Sequence, residues 1–159
     1  MGGTAAAALA GCGAQPTKFR SYQGPEVTSL TVYKGRRKMY LMHGDAALRS
    51  YDFELGGNPV GHKVQEGDGR TPEGTYFIAY HNPNSSYHLS LQISYPDAID
   101  VARAEALGVA PGGNIMIHGT PEEVRRRQDW TAGCIAVTDT EMEWIYAMVR
   151  DGTPITIYA

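Results

Sequence analysis

Apolar and polar residues alternate along the first third of the chain, which is the pattern of strands that bury one face. Residues 27–33 read VTSLTVY, residues 39–43 read MYLMH and residues 48–55 read LRSYDFEL, with turn sequences between them. This arrangement predicts an antiparallel meander of three strands. Shorter apolar segments predict four further strands, at residues 75–80, 87–93, 115–118 and 155–158.

Signals of helix ends are found between and after these later strands. Residues 97–107 read DAIDVARAEAL, beginning with a capping aspartate and followed by the terminating Gly108. Residues 120–123 read TPEE, which places a cap, a first-turn proline and a third-position glutamate in the order that starts a helix. A third helix is predicted to start at Thr138 or Asp139. Its apolar stripe consists of Trp144, Ile145, Met148 and Val149.

The length and composition describe one globular unit. The chain has 159 residues, enough for a single domain with its own core, which we place at residues 26–159. Its 19 glycines and 10 tyrosines favour a turn-rich, mainly β domain with two or three short helices. The formal charge of −3 offers no basic face for nucleic acid. No apolar run approaches the roughly 18 residues that a membrane-spanning helix requires.

The N-terminal residues have a different composition from the rest. Residues 4–13 read TAAAALAGCG, and Leu9-Ala10-Gly11-Cys12 resembles the lipobox of bacterial lipoprotein signal peptides. The resemblance implies that Cys12 becomes the lipid-bearing first residue of the mature chain. The alternative is a disordered alanine-rich tail with an incidental cysteine. We assign residues 1–25 to a signal remnant and flexible tether.

A histidine and a cysteine frame the centre of the predicted chemistry. One apolar strand ends at His118-Gly119, and Gly133-Cys134 precedes a second apolar run. A nearby imidazole helps a thiol to act as a nucleophile, so we expect Cys134 to be rich in thiolate near neutral pH. If Cys12 carries lipid, Cys134 has no partner for a disulfide, which favours a working thiol.

Other interpretations of these two residues stay open at this point. A cysteine on an apolar strand is often a small buried hydrophobe, and a histidine there is often a hydrogen-bonded core residue. His81 and His88 could join His118 and Cys134 around a metal, although no closely spaced ligand pair supports a metal. We expect no metal and no cofactor.

The sequence pattern resembles the L,D-transpeptidase family, whose catalytic domain is called YkuD-like. The resemblance rests on His118-Gly119, on Thr131-Ala132-Gly133-Cys134-Ile135, and on residues 67–76, GDGRTPEGTY. Ala132 and Ala136 depart from the family, which usually has histidine at the first position and arginine or asparagine at the second. The run Asp-Trp-Thr-x-Gly-Cys-Ile-Ala is similar to a subgroup that includes enzymes cutting peptidoglycan linkages.

The resemblance implies a mixed, β-sandwich-like fold and a set of site residues. Cys134 would be the nucleophile and His118 the base, with the Gly119 carbonyl fixing the imidazole. Backbone amides of Gly133, Cys134 and Ala132 would hold the oxyanion. We expect substrate contacts from Arg70, Tyr87, His88, Trp130 and Thr131. Arg70 suits a substrate carboxylate, since guanidinium binds it in two-pronged fashion, and a structural ion pair is the alternative.

The implied activity is a transfer between peptides of the bacterial cell wall. Cys134 would attack a peptidoglycan stem peptide, release D-alanine and pass the acyl group to an amine, such as a lipoprotein lysine. The alternatives are a hydrolase or amidase on the same scaffold, and a non-catalytic wall-binding module. Carbapenems are the expected covalent inhibitors. The expected location is the periplasm or cell envelope, including the outer membrane if Cys12 is lipidated.

Overall fold

One curled sheet forms the body of the protein. The computed structural model describes residues 17–159, so the predicted lipidation site at Cys12 lies outside the described part. The strands are β1 (Ser29–Tyr33), β2 (Lys38–His43), β3 (Ala46–Asp52), β4 (Gly74–Asn82), β5 (Ser90–Ile93), β6 (Met116–His118), β7 (Ile135–Ala136) and β8 (Pro154–Tyr158). They lie in the order β3-β2-β1-β8-β4-β5-β6-β7. The prediction of a mainly β fold is confirmed.

The C-terminal strand β8 joins the two halves of the sheet. The meander β1–β3 is antiparallel, as predicted, and β8 runs parallel to β1 on its other side. β4 pairs with β8 through its first residues and with β5 through its last. Ile155 and Ile157 of β8 are buried, alternating with more exposed neighbours. β8 therefore lies in the middle of the sheet and holds the two sets of strands together.

Two of the three predicted helices form. α1 (Ala98–Ala106) is capped by Asp97, and α2 (Asp139–Met148) is capped by Thr138 with Glu141 in a capping box. These caps satisfy amides that have no partner within the helix.

The helix predicted to start at Thr120 is present only as a single short turn. Residues Glu122–Val124 form only a short 3-10 turn, and no side chain caps it. The hydroxyl of Thr120 donates instead to the Val137 carbonyl at 2.7 Å. Because that hydroxyl faces the neighbouring segment, it cannot cap the following turn, and a capping sequence alone does not make a helix.

The hydrophobic core takes one residue in two from the strands. Its fully buried members include Leu30, Val32, Met39, Leu41, Ile78, Leu91, Ile93, Ile117, Ile135, Ile155 and Ile157, with Met142 and Ile145 from α2. Truncating one such side chain to alanine costs about 2–5 kcal/mol in proteins generally. Ile117 and Ile135 lie opposite each other on β6 and β7, so the core fixes the two strands that carry the site.

The polar loop between β3 and β4 is held by a buried lysine. Lys34 is 3% exposed, and its Nζ donates to the carbonyls of Gly61 (2.6 Å) and Thr71 (3.0 Å) and to Glu73 Oε1 (3.0 Å). Burial lowers the pKa of Lys34, and the bond to Glu73 opposes that change. The Thr71 hydroxyl donates to the Gly133 carbonyl at 2.7 Å, so this loop supports the turn before Cys134.

Residues 17–25, the described part of the predicted tether, lie against the domain. Lys18 Nζ donates to the carbonyls of Pro83 (2.7 Å) and His88 (2.9 Å). Arg20 Nε donates to Glu143 Oε2 of α2 at 2.8 Å. The domain boundary itself stays a prediction. Among residues 17–159, no helix has the length and apolar character needed to cross a membrane.

Candidate active site

Neighbouring strands place His118 and Cys134 on one face of the sheet. β6 and β7 are parallel, with Ile117 opposite Ile135 and His118 opposite Ala136. Side chains alternate along an extended chain, so Cys134, two residues before Ala136, projects to the same face as His118. The nucleophile and base predicted from the sequence are therefore diagonal neighbours across one strand pair.

The backbone after His118 fixes the tautomer of the imidazole. His118 Nδ1 lies 2.7 Å from the Gly119 carbonyl oxygen. A carbonyl only accepts, so Nδ1 carries the proton and Nε2 keeps its lone pair. A ring held in this state can take a proton at Nε2, as a general base must.

Two aromatic side chains pack around the imidazole of His118. The Tyr87 ring stacks on His118 with centroids 4.4 Å apart, and the Trp130 ring lies 5.6 Å from it. His118 is 1% exposed, and this burial lowers the pKa of its imidazole, while the hydrogen bond with Gly119 opposes the change. The base is therefore neutral and ready to accept a proton at neutral pH. Trp130 Nε1 is buried and has no hydrogen-bond partner among residues 17–159.

The thiol lies between two backbone groups of the strand before His118. Cys134 Sγ donates to the Asn114 carbonyl at 3.3 Å. Burial raises the pKa of the Cys134 thiol, and the Met116 amide and the charge of Lys63 only partly oppose this. Burial thus favours a neutral thiol at Cys134 and a neutral imidazole at His118. The expectation of a thiolate-rich Cys134 at neutral pH is not what this environment favours.

The turn before Cys134 is closed by Thr131. Its hydroxyl donates to the Cys134 carbonyl at 2.8 Å and accepts from the Gly133 amide at 3.1 Å. Gly133 has φ 133°, which favours glycine, and a Cβ there would lie 2.5 Å from the Arg70 carbonyl oxygen. The Gly133 amide would have to leave Thr131 to serve an oxyanion. The oxyanion roles of Gly133, Cys134 and Ala132 stay predictions.

Gly119 is required by close packing as well as by its carbonyl. A Cβ on Gly119 would lie 2.8 Å from the Tyr87 carbonyl oxygen and would collide with Asp139 Oδ1. The Gly119 amide donates to that same Tyr87 carbonyl at 3.0 Å. Asp139 accepts from the Thr120 amide at 3.0 Å. Tyr87 and α2 are thus drawn against the residue that orients His118.

The structure separates the predicted substrate residues into two groups. Tyr87, Trp130 and Thr131 lie at the pair, as described above. Arg70 Nε is buried without a partner, and no carboxylate within residues 17–159 forms an ion pair with this side chain. The alternative of a structural ion pair for Arg70 is therefore wrong, and its substrate role stays a prediction.

The imidazoles of His88 and His81 are each hydrogen-bonded to a carboxylate. His88 Nε2 bonds Glu143 Oε1 at 3.0 Å, and His81 Nδ1 bonds Asp151 Oδ1 at 2.5 Å. Both imidazoles are thus engaged with carboxylates, and the alternative metal site with Cys134 and His118 is not assembled. A substrate contact from the His88 side chain would require that bond to Glu143 to change.

Several contacts that support the site were not predicted from the sequence. Thr71 holds Gly133, Asn114 accepts from Cys134, and Arg37 pairs with Asp129, the residue before Trp130. Arg37, Asn114 and Asp129 have positive φ of 53°, 54° and 48°, which is uncommon outside glycine. No pattern of apolar residues reports such contacts, because the partners are far apart in sequence.

Comparisons with known proteins agree with this geometry. The family model YkuD, L,D-transpeptidase catalytic domain, matches residues 28–157. No curated protein matches the sequence. The fold is similar to that of the helical cell shape determining protein Pgp2 from Campylobacter jejuni (22% identity, TM-score 0.63, covering 84% of this chain and 51% of Pgp2).

Two further solved structures share the fold. Bd1075 from Bdellovibrio bacteriovorus has 22% identity and a TM-score of 0.61, with 84% of this chain and 48% of Bd1075 covered. An L,D-transpeptidase from Mycobacterium smegmatis has 15% identity and a TM-score of 0.56, with 84% and 59% covered. This chain spans about half the length of Pgp2 and Bd1075. By the extent of the family match, the chain belongs to the YkuD family of L,D-transpeptidase catalytic domains.

Proposed function

We propose that this domain is a cysteine acyltransferase that acts on peptidoglycan stem peptides. The single observation that supports it most is the placement of Cys134 and His118 beside each other on neighbouring strands, with the imidazole Nδ1 fixed by the Gly119 carbonyl. A wall-binding module without catalysis would not need an oriented base beside a thiol. Ala132 and Ala136 stand where the family usually has histidine and arginine or asparagine, so the family pattern does not indicate which acceptor this domain uses.

The first half-reaction forms a thioester. His118 Nε2 takes the thiol proton as Cys134 Sγ attacks the carbonyl carbon of the third stem residue. The tetrahedral intermediate collapses, the bond to the D-alanine nitrogen breaks, and His118 returns the proton to that nitrogen. D-Alanine leaves, and the acyl group stays on Cys134.

The second half-reaction resolves the thioester. An acceptor amine attacks the thioester carbonyl, loses its proton to His118, and displaces the sulfur, which is then reprotonated. The acceptor is a second stem peptide or a lipoprotein lysine. With water in place of the amine, the same steps give hydrolysis, the second candidate. It is favoured by the run from Asp129 to Ala136, which is similar to that of a subgroup that includes enzymes cutting peptidoglycan linkages.

The proposed location is the periplasm or another part of the cell envelope, because that is where peptidoglycan stem peptides are found. A diacylated Cys12 would hold the domain at a membrane facing the wall, with the outer membrane as the site in a Gram-negative cell. Covalent inhibition by a carbapenem is part of the proposal. One structural neighbour is the Ldtfm–avibactam carbamoyl enzyme, at 15% identity and a TM-score of 0.58, and that adduct belongs to the neighbour.

The experiment is an incubation with purified sacculi and with a tetrapeptide muropeptide, followed by mass spectrometry of the products. Transfer gives a cross-linked dimer and free D-alanine. Hydrolysis gives a tripeptide and D-alanine without a dimer. Cys134→Ala is the control in both arms.

An added amine also distinguishes transfer from hydrolysis. Supplying a large excess of a D-amino acid should divert a transferase to an exchanged peptide, while a hydrolase keeps producing tripeptide. No product in any arm, together with no carbapenem adduct on Cys134, would refute the proposal.

A further inference from the structure

An ion pair connects the turn between β1 and β2 with the segment that leads into the active site. Arg37 Nη2 donates to Asp129 Oδ2 at 2.8 Å, and Nη1 donates to Asp129 Oδ1. The side chains are only 29% and 20% exposed. This two-pronged geometry fixes the direction of both groups, which a single contact would not do.

Both partners have an unusual backbone. Arg37 has φ 53° and Asp129 has φ 48°, in the left-handed region that residues with a Cβ seldom adopt. Aspartate tolerates this region better than arginine does. Such conformations persist where surrounding contacts enforce them, and they cluster at functional sites. An ion pair that served only solubility would not need two strained residues.

Asp129 is also the anchor of the segment that follows it. Its amide donates to Glu54 Oε2 at 2.9 Å, and its Oδ1 accepts from the Leu55 amide at 3.3 Å. Two residues on, the Thr131 amide donates to the Leu55 carbonyl at 3.0 Å. Residues 129–131 are therefore tied to residues 54–55 at both ends, with Trp130 between the ties.

The bonds on either side of Trp130 fix the position of its ring. Its ring lies 5.6 Å from the His118 ring and 5.8 Å from the Tyr87 ring. Trp130, Arg37 and Ala136 line a common cavity of about 300 Å³.

We propose that Arg37 and Asp129 are a positioning pair for the catalytic base. The pair holds Trp130 against the imidazole, which keeps His118 in the orientation set by Gly119 and shields it from water. Neither residue touches the reacting atoms. This inference rests on the proposed function for its rate effect, but the placement of Trp130 can be measured without any substrate.

The test compares Asp129→Asn with a matched control. Asparagine keeps the shape, the acceptor for the Leu55 amide and the tolerance of a positive φ, so the substitution removes mainly the charge. The control is Lys38→Gln, which breaks the neighbouring ion pair between Lys38 and Asp52, at 2.7 Å, without touching Asp129. Both are made in a Trp144→Phe background, which leaves Trp130 as the only one of the chain's 2 tryptophans.

Three quantities are measured: D-alanine release from the tetrapeptide muropeptide, the rate of Cys134 acylation by a carbapenem, and the emission of Trp130 as a function of pH. In the parent, protonation of His118 should quench Trp130. In Asp129→Asn we expect a red-shifted emission, loss of that quenching, and a fall of about 10–100-fold in kcat with little change in KM, because small misplacements of catalytic groups cost that much. Lys38→Gln should stay within twofold of the parent.

Substitutions of Arg37 provide a second test of the ion pair. Arg37→Lys should retain more activity and quenching than Arg37→Gln, and the Arg37 variants replace Asp129→Asn if the latter fails to fold. Unchanged emission and acylation in Asp129→Asn would overturn the proposal, as would an equal loss in Lys38→Gln. If the parent releases no D-alanine, the proposed function fails, while the emission of Trp130 still decides whether the pair positions that ring.

Discussion

The ionisation state of the Cys134–His118 pair can be tested directly through the pH dependence of thiol alkylation. Burial raises the pKa of Cys134 above its ordinary value of 9.0 and lowers that of His118 below 6.5. Between these values both groups are neutral. We therefore predict that iodoacetamide reacts with Cys134 at a rate that follows the small fraction of thiolate present.

The size of the effect follows from the raised pKa. For a pKa of 9.0 or higher, the thiolate fraction at pH 7 is at most about 1%, and it grows tenfold for each pH unit. The alkylation rate should thus rise about 50–100-fold from pH 7 to pH 9, the larger value applying if the pKa is well above 9.0. A thiolate stabilised by imidazolium, with a pKa of about 3.5–7.5, would instead give a rate that levels off below pH 8.

The assay measures pseudo-first-order alkylation by intact-protein mass between pH 6 and pH 10. A Cys12→Ser background removes the second thiol of the chain. The His118→Ala variant is the comparison, and its rate should show the same slope because no ion pair is lost. A plateau between pH 6 and pH 8 in the parent that disappears in His118→Ala would refute a neutral resting pair.

Three further predictions concern the catalytic base, the loop before β4 and the N-terminal cysteine. In His118→Ala, D-alanine release should fall by about 10²–10⁴-fold or more, because general-base catalysis contributes that much. The release rate of His88→Ala should fall much less, and equal losses in the two variants would mean that another residue is the base. Burial raises the pKa of Asp68, but bonds from the Val64 amide, Lys63 and other amides outweigh it and lower the pKa to about 2 from 3.8. Its stabilisation is complete above pH 3.8 and is lost as pH falls through about 2. Asp68→Asn should therefore unfold about 2 kcal/mol more easily in urea at pH 6, with a difference that shrinks near pH 2; a difference independent of pH would contradict this. If Cys12 is an anchor, cells expressing the native gene should place labelled palmitate on the protein and Cys12→Ser should remove it; label that persists in the serine variant would exclude this site.

The fold was predictable wherever the signal is local. Alternation along the meander and the capping boxes at Asp97 and Thr138 involve residues within a few positions of one another. The helix predicted at Thr120 failed because the hydroxyl of that threonine bonds Val137, 17 residues away. The central place of β8 depends on pairing with β1, from the other end of the chain.

For the site too, the residues marked by a local motif were predictable and the long-range contacts were not. The motif identified His118, Gly119 and Cys134, because their residue types and their order are those of the family's catalytic motif. Their protonation states could not be predicted, because burial is produced by Tyr87 and other residues that pack from elsewhere. The ion pair of Arg37 with Asp129 joins residues 92 positions apart. Asp129 begins the run Asp-Trp-Thr-x-Gly-Cys-Ile-Ala, but nothing in that run indicates Arg37 as its partner.

A neutral resting pair changes which features of the site matter most for catalysis. A preformed thiolate needs a permanent positive partner, whereas a thiol beside a neutral imidazole needs a base that is correctly aimed when the substrate arrives. The lowered pKa of His118 keeps it unprotonated, and the Gly119 carbonyl stabilises the imidazolium that forms during attack. Alignment then limits the rate more than charge does. This is why the residues that hold geometry, Gly119 by direct contact and Asp129 through Trp130, are expected to affect turnover without touching the substrate.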